Sequence, residues 1–132
     1  MIQERWRQLV ADMGKGGREM VKVSVEKHGR ITLLPPEKII YCSYESGRVL
    51  VHTYDEVLPL YSITTMDRLA EHLADTACFF RAHRAVLVNL DRIDEFSPWF
   101  NGKYNLVMDD SKKSELTVSR SRVKEFRQRL GI

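Results

Sequence analysis

The chain has 132 residues, 43% hydrophobic and 30% charged, which fits one globular domain and excludes a disordered chain or two regulatory domains in tandem. The 21 Lys and Arg against 18 Asp and Glu leave a net charge of +3, too small to decide for or against a nucleic-acid partner. Its distribution says more: residues 79–132 carry 11 basic and 7 acidic groups, whereas residues 21–78 carry 6 and 8.

Charges fall within the first ten residues, and no apolar run is long enough for a signal peptide or a membrane span. The expected setting is cytoplasmic, without a membrane partner. Cys42 and Cys78 stand in no Cys-x-x-Cys pair, so they read as free thiols rather than zinc ligands or a redox pair.

In chain order, Ile2, Trp6, Leu9, Val10 and Met13 fall at helical spacing, and Gly14-Lys15-Gly16-Gly17 breaks the pattern. Residues 1–19 therefore read as a short helix and a glycine-rich linker, and residues 20–132 as the domain. From Met20 the period becomes two. Met20 to Val25 and Ile31 to Leu34 are expected to pair across a His28-Gly29 turn, with Pro35-Pro36 as the stop. Ile39 to Tyr44 and Arg48 to Thr53 flank Glu45-Ser46-Gly47, and Val57 to Ser62 follows. Five short strands over so few residues argue for antiparallel β structure.

One helix interrupts the strands, with Thr64 as its expected cap, Asp67 three residues on, and Met66, Leu69, Ala70 and Leu73 on one face. Residues 78–96 read as short strands around a polar kink. Asn101-Gly102 signals a two-residue hairpin between Phe96, Trp99 and Phe100 on one side and Tyr104, Leu106 and Met108 on the other. A turn at Asp109-Asp110-Ser111 precedes a last strand, Ser114 to Val118. Ser119 is expected to start a final helix with Val123, Phe126 and Leu130 inward and Gly131 at its end.

Two segments concentrate chemistry. In Phe79-Phe80-Arg81-Ala82-His83-Arg84, basic groups sit inside an apolar run. In Val118-Ser119-Arg120-Ser121-Arg122, arginines and hydroxyls crowd a helix start, where unpaired N–H groups and the dipole favour an anion. Arginines there oppose the dipole unless an anion is expected nearby.

Taken together, FFRAHRAVLVNLDRI, the hairpin and LTVSRSRVKEF resemble the LytTR-type DNA-binding domain, with the motifs in order over roughly residues 20–130. PPEKIIYCSYESGRVLVHT and ITTMDRLAEHLAD resemble that family's strand–turn–strand and its single helix. The resemblance implies a mainly β fold, an elongated stack of small antiparallel sheets with one short central helix and a C-terminal helix. It also implies sequence-specific binding of double-stranded DNA by a bacterial transcription regulator, commonly the output half of a response regulator in a two-component system. Loops would enter successive major grooves of direct-repeat promoter sites. A second copy on DNA or a homodimer, and an upstream receiver or sensor domain absent from this chain, are the further partners it suggests.

Carried over by position, Arg84 matches a base-reading residue, and Arg120, Ser121 and Arg122 match a second contact group. The turn at Glu45–Arg48 matches a third. Gly47 occupies its tip, so base reading passes to Arg48 or Ser46, beside a Glu45 that would repel phosphate. Ser119, Lys124, Lys103, Lys112 and Lys113 are candidates for phosphate contacts. His83 and Asn89 are read as braces that bond locally to backbone.

Other readings are weaker. The four histidines, two cysteines and five methionines match no ligand spacing, so a ligand- or haem-sensing domain has little support and no cofactor or metal is expected. A protein-interaction β-domain is compatible with DNA binding. No nucleophile–base pair, paired carboxylate or nucleotide loop suggests an enzyme.

Overall fold

The computed structural model describes residues 21–132 apart from Ala77. The helix expected over 2–13, the glycine-rich linker and Met20 lie outside the described residues. Strands β1 (Val23–Lys27) and β2 (Arg30–Leu34) form a two-stranded antiparallel hairpin with Val23 opposite Leu34. The centre of the molecule is a five-stranded antiparallel sheet. It is built from β3 (Tyr41–Glu45), β4 (Arg48–His52), β5 (Val57–Pro59), β6 (Phe79–His83) and β7 (Val86–Asn89), in the order β5-β4-β3-β7-β6. A three-stranded antiparallel sheet, β10-β9-β8, follows from β8 (Ile93–Pro98), β9 (Tyr104–Met108) and β10 (Glu115–Val118).

The strand period explains why there are two cores. Neighbouring residues on a strand point to opposite faces. Cys42, Val49, Val51, Phe79 and Leu87 face one cluster, with Val23 and Val25 of β1 and Met66 and Leu69 of helix α1 (Met66–His72). Tyr41, Phe80, Ala82, Val86 and Val88 face the other, with Leu106, Met108 and Val118 of the three-stranded sheet and Phe126 of helix α2 (Val123–Leu130). All four residues of β7 are buried, as are Tyr41, Cys42 and Ser43 of β3, because these strands are covered on both faces. Each large apolar side chain taken fully out of water contributes about 1.5–3 kcal/mol.

Helix α1 begins one residue later than expected. Thr65, not Thr64, is extended, and its hydroxyl oxygen accepts the Arg68 N–H at 3.1 Å. That frame leaves Asp67 without a capping task, and its carboxylate pairs with Arg81 instead. The 100–102 connection also differs by one residue. Asn101 (φ 58°) and Gly102 (φ 73°) take the left-handed conformations expected of the pair. The ladder closes at Pro98 opposite Tyr104, and the Trp99 N–H donates to the Lys103 carbonyl at 2.8 Å, so the loop is Phe100–Gly102.

Ser119 does not cap α2. A single 3₁₀ turn, Arg120–Arg122, comes between, and Arg122 precedes the helix without a side-chain cap. The C-terminal end is as expected: Gly131 is left-handed, and the N–H groups of Gly131 and Ile132 return to Gln128 and Arg127.

Candidate nucleic-acid interface

Strand directions bring four connections to one end of the molecule. The end of β3 meets the β6–β7 turn, where the Tyr44 N–H donates to the Ala85 carbonyl at 2.9 Å. The end of β10 meets β6, where the Ser119 N–H donates to the Ala82 carbonyl at 3.0 Å. Val118 lies opposite Tyr104, and Tyr104 opposite Pro98, which sets the β8–β9 tip beside residues 119–122. The same end holds the Ser46-Gly47 turn between β3 and β4, with Ser46 at φ 52° and Gly47 at φ 81°. Gly47 belongs there because a turn with two left-handed centres excludes most side chains.

A bulge in β6 builds the centre of this end. Arg81 pairs with Leu87, but His83 pairs with Val86, so Ala82 is an extra residue. The Ala82 carbonyl receives the Ser119 N–H and, at 3.4 Å, the Ser119 hydroxyl. The neighbouring Arg81 carbonyl accepts from Arg122 Nε at 2.9 Å. The bulge thus holds the segment after β10 against the β6–β7 turn.

The Arg81 side chain grips that turn from the other side. Its Nε and Nη2 donate to the Arg84 carbonyl at 3.2 and 2.5 Å, and its Nη1 lies 2.9 Å from Asp67 Oδ1. His83 completes the brace by accepting the Ala85 N–H on Nδ1 at 3.2 Å. Burial lowers the His83 pKa below its ordinary value, and the Arg81 and Arg84 charges lower it further. A neutral ring is what an acceptor at Nδ1 requires. The Arg84 side chain itself is exposed, and among the described residues it makes no hydrogen bond or ion pair. An immobilised backbone therefore carries an uncommitted guanidinium.

Arg81, His83, Arg84, Ser119, Ser121 and Arg122 line one open hollow. Arg122, in this lining, and Arg120, outside it, differ. Arg122 is half-buried: besides its bond to Arg81, it lies 3.3 Å from Glu125 and its guanidinium sits 5.3 Å above the Phe80 ring. Arg120 is exposed and crosses the hairpin tip, where a Cβ on Gly102 would stand 3.0 Å from its Cδ and 3.1 Å from its Cγ. Gly102 is thus needed twice, for its backbone angle and for the space Arg120 fills.

The sequence profile of the LytTr DNA-binding domain matches residues 29–131. The chain belongs to this family. It is 33% identical to the sensory transduction protein LytT of Bacillus subtilis, over 98% of this chain and 56% of that protein. It is 37% identical to the transcriptional regulatory protein YpdB of Escherichia coli K12, over 87% of this chain and 46% of that protein. The chain spans about half the length of these relatives. A solved LytTr DNA-binding domain from Bacillus cereus shares the fold with a TM-score of 0.73 at 21% identity, over 86% of this chain and all of that one.

The other residues singled out in this LytTr domain divide by end. Ser46 and Arg48 are exposed at the Arg84 end. Glu45 in the same turn is folded back: it accepts from the Ser43 hydroxyl at 2.6 Å and lies 3.9 Å from His52 Nε2. Lys103 is at the hairpin tip, and Lys124 is exposed near the start of α2. Lys112 and Lys113 are not brought to this end. They lie in the β9–β10 connection, where Ser111 bonds the Tyr54 carbonyl, and Lys113 is paired with Asp94 at 3.1 Å. The five residues of β9 separate the two ends by about 16 Å of strand.

Asn89 is buried, donating to the Ile39 carbonyl at 2.9 Å and accepting the Asp91 N–H at 3.0 Å. Sequence reasoning missed Asp67, Arg81 and Gly102, whose parts depend on contacts distant in the chain. Cys42 and Cys78 are free, and burial pushes the Cys42 thiol up to about 12. Among the described residues, no group of three or more His, Cys, Asp or Glu gathers to hold a metal, and no helix is long and apolar enough to cross a membrane.

Proposed function

We propose that this chain is the DNA-reading part of a bacterial transcription regulator, and that it recognises specific double-stranded sites by placing loops in successive major grooves. The observation that carries the proposal is the exposed Arg84 side chain on a turn held by Arg81, His83 and the β6 bulge. A groove reader needs that combination, because an arginine forks onto guanine O6 and N7 only when its backbone is held at the right height. In this reading Arg84 and Arg120 read bases, and Ser121 with Ser46 or Arg48 makes supporting contacts. Lys103 and Lys124 meet phosphate. Arg122, Ser119, His83 and Asn89 hold the loops in place.

Two reading groups on separate loops suit a site longer than one half-turn of duplex. Direct repeats, each taken by one copy of the chain, are the expected arrangement. The relatives are longer than this chain, which leaves room for an additional receiver or sensor segment in the whole regulator. Selection from a randomised duplex pool at near-physiological salt tests the proposal. Enrichment of a short motif, repeated in direct orientation, is the expected result. Enrichment of nothing, with only salt-sensitive binding, would refute sequence reading by this chain. Arg84→Ala is expected to relax one position and cost about 1–3 kcal/mol.

A further inference from the structure

Another feature at the same end is not used by the arginine loops. Trp99 and Phe100 stand on the β8–β9 tip with 50% and 63% of their surfaces exposed, their ring centroids 5.9 Å apart. Adjacent large aromatics left in water at a turn mark a contact surface more often than a lone exposed apolar residue does. The turn beneath them is fixed. Asn101 and Gly102 are left-handed, the Trp99 N–H donates to the Lys103 carbonyl, and the Lys103 N–H donates to the Phe100 carbonyl. Phe96, below the tip, is instead packed on Tyr104 and Phe126 as part of the core margin.

The surroundings specify the occupant. Lys103 Nζ lies 5.4 Å from the centre of the Phe100 ring, and the Arg120 stem lies against Gly102 on the same tip. No acidic residue occurs between Glu95 and Asp109. An apolar pair rimmed by cations fits a ligand with apolar faces and regularly spaced negative charge. A deoxyribose–phosphate strand has that composition, and the strand nearest to hand is the duplex engaged by Arg120.

We propose that the Trp99–Lys103 hairpin is a further DNA-contacting element: its two rings pack on deoxyribose beside the bases read by Arg120, and Lys103 takes the adjoining phosphate. The inference rests on the reading of Arg84 and Arg120 as the base-contacting arginines. It adds a flank-dependent, sequence-independent contact. The hairpin contributes affinity and register, whereas the arginines contribute selectivity.

The test uses the full chain with Trp6→Phe, which leaves Trp99 as the single tryptophan. Two duplexes carry the selected site, one trimmed to it and one a helical turn longer on each side. Trp99 emission is expected to change on binding the longer duplex. Trp99→Ala and Phe100→Ala should weaken that complex about five- to ten-fold, leave base preference unchanged, and have little effect on the trimmed duplex. Trp99→Phe should restore most of the affinity. Unchanged urea midpoints would show that the variants remain folded.

If both alanine variants bind the longer duplex as the parent does and the emission does not move, the hairpin proposal fails. The arginine reading still stands if Arg84→Ala loses selectivity in the same assay. If Trp99→Ala instead dissociates a dimer of the free protein, the tip is a protein contact and the proposal is overturned. If no duplex is bound selectively, both readings fall together.

Discussion

Arg122 and Arg120 are two residues apart and chemically identical, yet the structure ties one to its neighbours and leaves the other exposed. Arg122→Ala removes the bond to the Arg81 carbonyl, the contact with the Phe80 ring and the pairing with Glu125. A hydrogen bond from a charged donor contributes about 1.5–3 kcal/mol, and the lower end applies because the Arg122 side chain retains 35% of its exposure. The ring contact adds about 0.5–1 kcal/mol at a half-exposed position. The surface pair with Glu125 adds only a few tenths of a kcal/mol. The sum is about 2 kcal/mol, which at this chain length lowers Tm by roughly 8 °C. Among the described residues Arg120→Ala removes no hydrogen bond or ion pair, and it is expected to leave Tm nearly unchanged while relaxing one base pair of the site by about 1–3 kcal/mol. Thermal unfolding and duplex selection on both variants separate the two outcomes. The reasoning fails if Arg122→Ala melts with the parent and loses discrimination at a defined base pair, for then Arg122 reads a base.

Gly102→Ala places a side chain at φ 73°, a strain of about 1 kcal/mol, and forces the Arg120 stem to move. Its selected motif should blur at the position Arg120 reads and stay sharp at that of Arg84; equal blurring at both would show that the tip does not position Arg120. Lys112→Ala with Lys113→Ala should leave duplex affinity and its salt dependence unchanged, whereas Lys103→Ala should flatten the logarithmic salt slope by about one unit. A flattened slope for the Lys112 and Lys113 pair would mean that DNA also covers the opposite end. His52 tests a pH effect. It is 6% exposed, it stacks on Tyr41 at 3.9 Å, and burial lowers its pKa from 6.5 to about 4. The unfolded chain therefore takes up a proton that the fold refuses, so stability is lost as pH falls from 6.5 towards 4. Between pH 7 and 5 the loss amounts to about 2 kcal/mol from this group. His83 acts in the same direction. Urea midpoints at the two pH values check the effect; His52→Gln should show a shallower dependence, and an equal one would exclude His52 as its source.

The strand stretches were legible because alternation and turn chemistry are local. Ser46-Gly47, His28-Gly29 and Asn101-Gly102 each adopt the left-handed pair that their residue types favour. The family was legible for the same reason, since its motifs lie in continuous stretches around Arg84 and Arg120. Helix starts were less secure. Thr64 and Thr65 offer the same capping oxygen, and nothing local to the sequence separates them; in the structure Thr65 caps, Met66 and Leu69 are buried, and Asp67 pairs with Arg81.

Composition, period and turn residues thus determined the β class, the order of the elements and the residues that the connections carry. Only the tertiary structure decided which connections share an end and which arginines remain free to act. Lys112 and Arg84 both looked like exposed cations in the sequence, and strand direction put them at opposite ends. Arg122 and Arg120 both looked like contact residues. One of them is claimed by a carbonyl 41 positions away in the chain, exposed by a bulge in β6 that depends on pairing with β7. A side chain's freedom to bind a ligand depends on what its own fold already offers it, and no local pattern of residues contains that information.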